Sequence, residues 1–162
     1  RPPRSTLFPY TTLFRSRWVD AAQAVVTADP DQLRQVVSNL MLNAVDAMPA
    51  GGDLTVGLEY RSIDELGAAN KPRVPQESAT RSVAEVRQGR YAVISVVDTG
   101  VGIPPENIDR VFDPFFTTKD RRSGTGLGLS ISSEIAREHG GWIELASRVG
   151  EGTTFLVWLP VA

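Results

Sequence analysis

Two asparagines four residues apart, Asn39 and Asn43, stand in the stretch DQLRQVVSNLMLNAVDAM, with Asp46 close to both in helical projection. Residues at that spacing share a helix face. One side of this helix therefore presents two amides and a carboxylate. Leu33, Val37, Leu40, Ala44 and Met48 recur at helical spacing about 120° away and predict the core face. A polar face of this kind is most often simply solvated. The sharper reading is a ligand site, because an asparagine carbonyl is a hard oxygen donor suited to Mg²⁺, which keeps most of its waters and takes few protein ligands.

Three further stretches carry chemistry. VVDTGVGIP delivers Asp98 from an apolar strand into a turn containing Gly100 and Gly102. An aspartate followed by spaced glycines often marks only a turn. Here the backbone can also approach a ligand closely, and the carboxylate can accept from an exocyclic amine such as adenine's. SGTGLGLS places Gly124, Gly126 and Gly128 at a helix entry, where free N–H groups and the positive helix end favour phosphate. It is neither a P-loop nor a dinucleotide fingerprint. Lys119, Arg121 and Arg122 precede it, as phosphate partners or as a solvated loop cluster. VFDPFFTTK brackets a proline with Phe112, Phe115 and Phe116, read as core or hinge packing and as an anchor for a lid over bound nucleotide.

The elements that must position these residues follow from local pattern. VVTAD, residues 25–29, reads as a short strand running into a helix start, with Asp29-Pro30-Asp31 supplying acidic caps and a first-turn proline. Pro49 to Gly52 ends the first helix, and DLTVGLEY alternates as a strand. Residues 61–89 are polar and aperiodic and read as a long surface loop. YAVISVVD predicts a central strand, PENIDRVF a short helix, LGLSISSEIAREHGG a helix closed by glycines, and WIELAS with TTFLVWLP a final hairpin. That order predicts an α+β fold, a two-layer sandwich with helices on one face of a mixed, mainly antiparallel sheet. The 162 residues suit one domain with its own core. A net charge of −2 argues against a nucleic-acid face built on bulk positive charge. With no cysteine there is no thiol nucleophile or thiolate metal site, and the single histidine, His139, excludes a histidine-rich one.

Taken together, N-x-x-x-N, D-x-G-x-G, F-x-x-F-F and G-x-G-x-G in this order resemble the ATP-binding domain of sensor histidine kinases, within the GHKL superfamily. FDPFFTTK with GTGLGLSIS is most similar to the nitrogen-regulation type, and the resemblance covers about residues 25–160. It implies the Bergerat-type fold, with ATP and Mg²⁺ as cofactors. Asn43 would ligate Mg²⁺, and Asn39 and Lys119 would act at the phosphates beside Asp46. Asp98 would read adenine, flanked by Gly100, Gly102 and Ile103. Phe112, Phe116 and Thr118 would border the lid, and Gly124, Thr125, Gly126, Leu127, Gly128 and Leu129 would hold the phosphates. Thr153 would help Asp98 through water. In the gyrase-type, mismatch-repair and chaperone ATPases of the superfamily, a glutamate stands one turn before the metal asparagine. Here Asn39 stands there, and a neutral amide takes no proton at pH 7. The expectation is phosphoryl transfer to a histidine on a homodimeric phosphoacceptor domain, then to a response-regulator receiver domain, in a bacterial cytoplasm. His139 reads as a helix-end residue favoured by the dipole, not as the acceptor.

The opening RPPRSTLFPYTTLFRS is similar to the translation of a widely used short-read sequencing adapter. Residues 1–16 are therefore expected to be foreign, with residues 17–162 an N-terminally truncated catalytic domain. The acceptor hairpin and any membrane anchor would then lie upstream. YTTLF has strand-like composition and is expected to fill a vacant sheet edge by accident.

Overall fold

The computed structural model describes residues 14–19, 25–63, 79–82, 88–118 and 124–162, with 14–19 and 79–82 as backbone only. Helix α1, Pro30–Asp46, starts where the sequence places its caps: Asp29 Oδ1 accepts from the amides of Asp31 (2.8 Å) and Gln32 (3.2 Å), and Pro30 occupies the first turn. Strands β1 (Phe14–Val19), β2 (Gly52–Ile63), β3 (Ala79–Ser82), β4 (Gly89–Asp98), β5 (Trp142–Arg148) and β6 (Gly152–Pro160) form one sheet in the order β1-β2-β4-β6-β5-β3. Only β1 and β2 run parallel; the other neighbours are antiparallel. Helix α3 spans Gly128–Glu138, and a single helical turn, α2, spans Pro105–Ile108.

The helices lie on one face of the sheet, as expected. Val36, Leu40, Ala44 and Met48 of the first helical segment, with Ile135 and Ala136 of α3, pack onto Val96, Ile143, Leu145, Phe155 and Val157. Inward residues alternate along β4 and β6, so Asp98 and Thr153, paired in register, share the helix side at the strand ends. The opposite face is apolar too. Trp142 and Trp158 stack with centroids 5.2 Å apart, and Tyr91 meets both edge-on. That two-sided burial is why β6 reads as a continuous apolar run. Leu40 is fully buried. Leu40→Ala is expected to cost about 2–5 kcal/mol in denaturant unfolding; a change under ~1 kcal/mol would mean that α1 is not seated on this core.

Four expectations are corrected. Residues 25–29 form no strand; Val25 is exposed, and its carbonyl accepts one backbone bond, from Ala162. β-Favourable residues make no strand without a neighbour to pair with. On α1 Val36 is fully buried and Val37 only half-buried: Val36 lies one turn from Asn39, on the side where α1 is bonded to α3, and belongs to the core that includes Ile135 and Ala136. PENIDRVF yields one helical turn, and residues 109–115 continue as turns. Residues 61–89 are not loop throughout: β2 runs to Ile63, β4 begins at Gly89, and residues 79–82 add an edge strand beside β5. Residues 64–78 and 83–87 lie outside the described residues. So does Tyr10 to Leu13 of YTTLF, while Phe14 to Ser16 form the first half of β1. Among the described residues no helix is long and apolar enough to cross a membrane.

Candidate functional site

A hollow of about 430 Å³ opens between α1, the segment after β4, the stretch before α3 and the start of β6. Asn39, Asn43 and Asp46 reach it from α1, and Asp98, Gly102 and Ile103 from β4 and its turn. Phe116 and Thr118 line it from the stretch after α2, and Gly124, Thr125 and Gly126 from the stretch before α3. Gly128 and Leu129 of α3 and Thr153 of β6 complete the expected set. Three expected residues do not line the hollow. The Gly100 amide donates to Asp98 Oδ1 at 2.8 Å, Phe112 belongs to the core, and Leu127 occupies the cap position of α3. Lys119, with Arg121 and Arg122, lies outside the described residues.

The turn after β4 is fixed on two sides. Val101 N–H donates to the Ala47 carbonyl (3.0 Å) at the end of α1, and the Gly150 amide donates to the Val101 carbonyl (2.8 Å). Gly102 sits at φ +72°, and a Cβ there would fall 2.1 Å from the Arg148 carbonyl oxygen, so only glycine fits. Gly126 repeats the device at φ +66°, with a Cβ meeting the Phe115 backbone at 2.5–2.8 Å. Phe115 is itself at φ +66° and 74 % exposed, its amide held by the Gly126 carbonyl at 2.9 Å. Phe115 and Gly126 are thus joined backbone to backbone.

Asp98 is 4 % exposed. Burial pushes its carboxyl above the usual carboxylate range, and the amides of Gly100 and Thr153 (3.3 Å) pull the other way by bonding the ionised form. Both amides go to Oδ1, and Oδ2 takes no donor among the described residues. Asn39 Nδ2 donates to the Gly128 carbonyl and to Ser132 Oγ, each at 3.2 Å, tying α1 to the first turn of α3. That helix has no side-chain cap for its leading N–H groups, and its first residues, Gly128 and Leu129, line the hollow. The Thr153 backbone amide donates directly to Asp98 Oδ1, and its Oγ1 lies 2.9 Å from Ser147 Oγ.

Sequence reasoning missed Asn107, Val111, Thr117 and Phe155, which also line the hollow. Phe155 was findable, since it alternates inward two residues after Thr153 on β6. Asn107 carries no local signal. Ser132 and Ser147, fully and nearly fully buried, were missed as supports.

A two-layer α+β domain whose paired amides, buried acid and glycine-hinged loop enclose one nucleotide-sized hollow defines a class of ATP-binding domain. The family model described as "Histidine kinase-, DNA gyrase B-, and HSP90-like ATPase" matches residues 28–162, and the chain belongs to that family. It is 43 % identical over 135 residues to the sensor kinase CckA of Brucella abortus, and 40 % identical over 136 residues to the sensor histidine kinase ZraS of Escherichia coli. These alignments cover 83 % and 84 % of the chain but span only 13 % and 23 % of those relatives' length. Among solved structures, the catalytic domain of histidine kinase ThkA superposes with a TM-score of 0.62 at 29 % identity, covering 91 % of this chain and 80 % of that one. Full-length ShkA, solved with AMPPNP, gives 0.65 at 25 %, covering 92 % and 26 %.

Proposed function

We propose that this chain binds Mg-ATP in the hollow and passes the γ-phosphoryl group to a histidine on a separate helical acceptor domain, which in turn serves a response-regulator receiver domain. The observation that carries this reading is the convergence of Asn43, Asp98 and Gly126 on one cavity. The residues present fit the nucleotide. A buried acid keeps Oδ2 for the exocyclic amine, an uncapped helix end supplies N–H donors for phosphate, and the glycines leave room for close backbone approach. Among the described residues no three His, Cys, Asp or Glu side chains cluster. A Mg²⁺ ion would rest on the Asn43 carbonyl oxygen, phosphate oxygens and water. When bound, it neutralises charge on the phosphates.

The chain's own residues set the outcome. Asn39 is engaged through Nδ2 with α3 and has no basic site at pH 7, so this position does not activate water as a glutamate there would. Positioning therefore serves a nucleophile from elsewhere. His139 is read as a structural residue: its Nε2 accepts from the Asp29 amide (3.0 Å) at the start of α1, and its Nδ1 lies 2.8 Å from the Ile135 carbonyl within α3, so both ring nitrogens are engaged. A cytoplasmic setting belongs to the same proposal. The test mixes the full chain, labelled Mg-ATP and the acceptor hairpin of its own gene. Base-stable, acid-labile label on the hairpin is expected. Bound ATP without transfer would make the chain a nucleotide module, and steady phosphate release would make it an ATPase.

A further inference from the structure

Ser147 is 3 % exposed on β5 and does not line the hollow. A buried hydroxyl on a strand is costly unless bonded. This one is engaged on every side. Its Oγ accepts from Ile103 N–H at 2.8 Å, lies 3.0 Å from the Gly152 carbonyl oxygen, and lies 2.9 Å from Thr153 Oγ1. Ile103 ends the turn that Asp98 begins, and Thr153 is the residue whose amide holds Asp98 Oδ1. One hydroxyl therefore joins the two backbone segments that aim the Asp98 carboxylate.

We infer that Ser147 is a positioning residue that sets purine selectivity, locking the Ile103 and Thr153 segments so that Asp98 Oδ2 stands where an adenine amine donates and a guanine carbonyl oxygen is repelled. The inference rests on the nucleotide-binding reading. Removing the Oγ leaves the Ile103 amide and the Gly152 carbonyl of this buried corner without their partner, and the carboxylate gains freedom to move. Discrimination built on a fixed acceptor is lost when the acceptor can turn away, whereas contacts to the phosphates, made by other elements, remain.

The experiment compares ATP and GTP as competitors of a fluorescent ATP analogue on the full chain, wild type and Ser147→Ala, with Mg²⁺ present. ATP affinity is expected to fall about tenfold, the worth of one lost buried hydrogen bond. GTP affinity is expected to hold, so the ATP-to-GTP ratio narrows. An unchanged ratio overturns the inference, whether both affinities hold or both fall together, because general loosening of the fold moves both alike. Ser147→Cys, close in size but a weaker hydrogen-bonding group, carries the same comparison should the alanine variant not fold. A wild-type chain that binds neither purine would sink the nucleotide reading itself. Wild-type binding with an unaltered Ser147→Ala ratio sinks only the role of Ser147.

Discussion

Asp98→Asn is expected to abolish nucleotide binding, by about 100-fold or more, while leaving the fold as stable as before or more so. Both halves follow from burial. The native carboxyl is held above its ordinary pKa, so the folded state favours the protonated acid. Stability from that group is fully present below the unfolded pKa and is lost as pH rises through the raised folded value. At neutral pH the ionised acid costs the fold, and the amide removes that cost while its Oδ1 still accepts from the Gly100 and Thr153 amides. The same substitution sets an N–H₂ where the adenine amine needs an acceptor. Thermal melts across pH 5–8 check the stability half. A clearly less stable variant at pH 7 would show that the carboxylate is a net support of the fold. Wild-type binding is expected to weaken on acidification earlier than an ordinary carboxylate would dictate, since the protonated acid loses its acceptor role.

Gly102→Ala should be the most damaging single-carbon change in the site. A residue other than glycine at φ +72° is strained by about 1–3 kcal/mol. The added carbon also falls 2.1 Å from a backbone oxygen of the neighbouring hairpin, which cannot rotate aside. A loss of about 3 kcal/mol or more in denaturant unfolding is expected, together with loss of binding. Gly128→Ala is the internal control. Its added carbon would lie 3.7 Å from Asn39 Cγ, an ordinary van der Waals contact, and it stands in a helix. There alanine is the better former, so the fold should hold or gain. Equal midpoints for the two variants would contradict the account of the turn.

Much of this site is visible in the sequence because its parts are local. The Asn39–Asn43 spacing needs only the helical period, Asp98 needs only a strand end, and Gly126 needs only a turn before a helix. What was not visible depends on contacts between distant segments. Val36 is fully buried and Val37 only half-buried, on the side where α1 is bonded to α3, which α1's own period does not encode. Residues 79–82 pair with β5, more than sixty residues away, and their polar composition gives no strand signal. Ser147 looked like any strand serine until the turn after β4 was seen to dock on it. Thr153 was expected beside Asp98, and the strand register adds a direct bond from its backbone amide that the sequence alone does not show.

The central claim is that paired amides, a buried acid and a glycine hinge grip one metal-bound triphosphate. Titrating the full chain with a fluorescent ATP analogue, with and without Mg²⁺, and repeating this with Asn43→Ala, tests it most directly. Tight binding that needs Mg²⁺ is expected for the wild type, and loss of the Mg²⁺-dependent part for Asn43→Ala. Binding indifferent to both the metal and Asn43 would contradict the account.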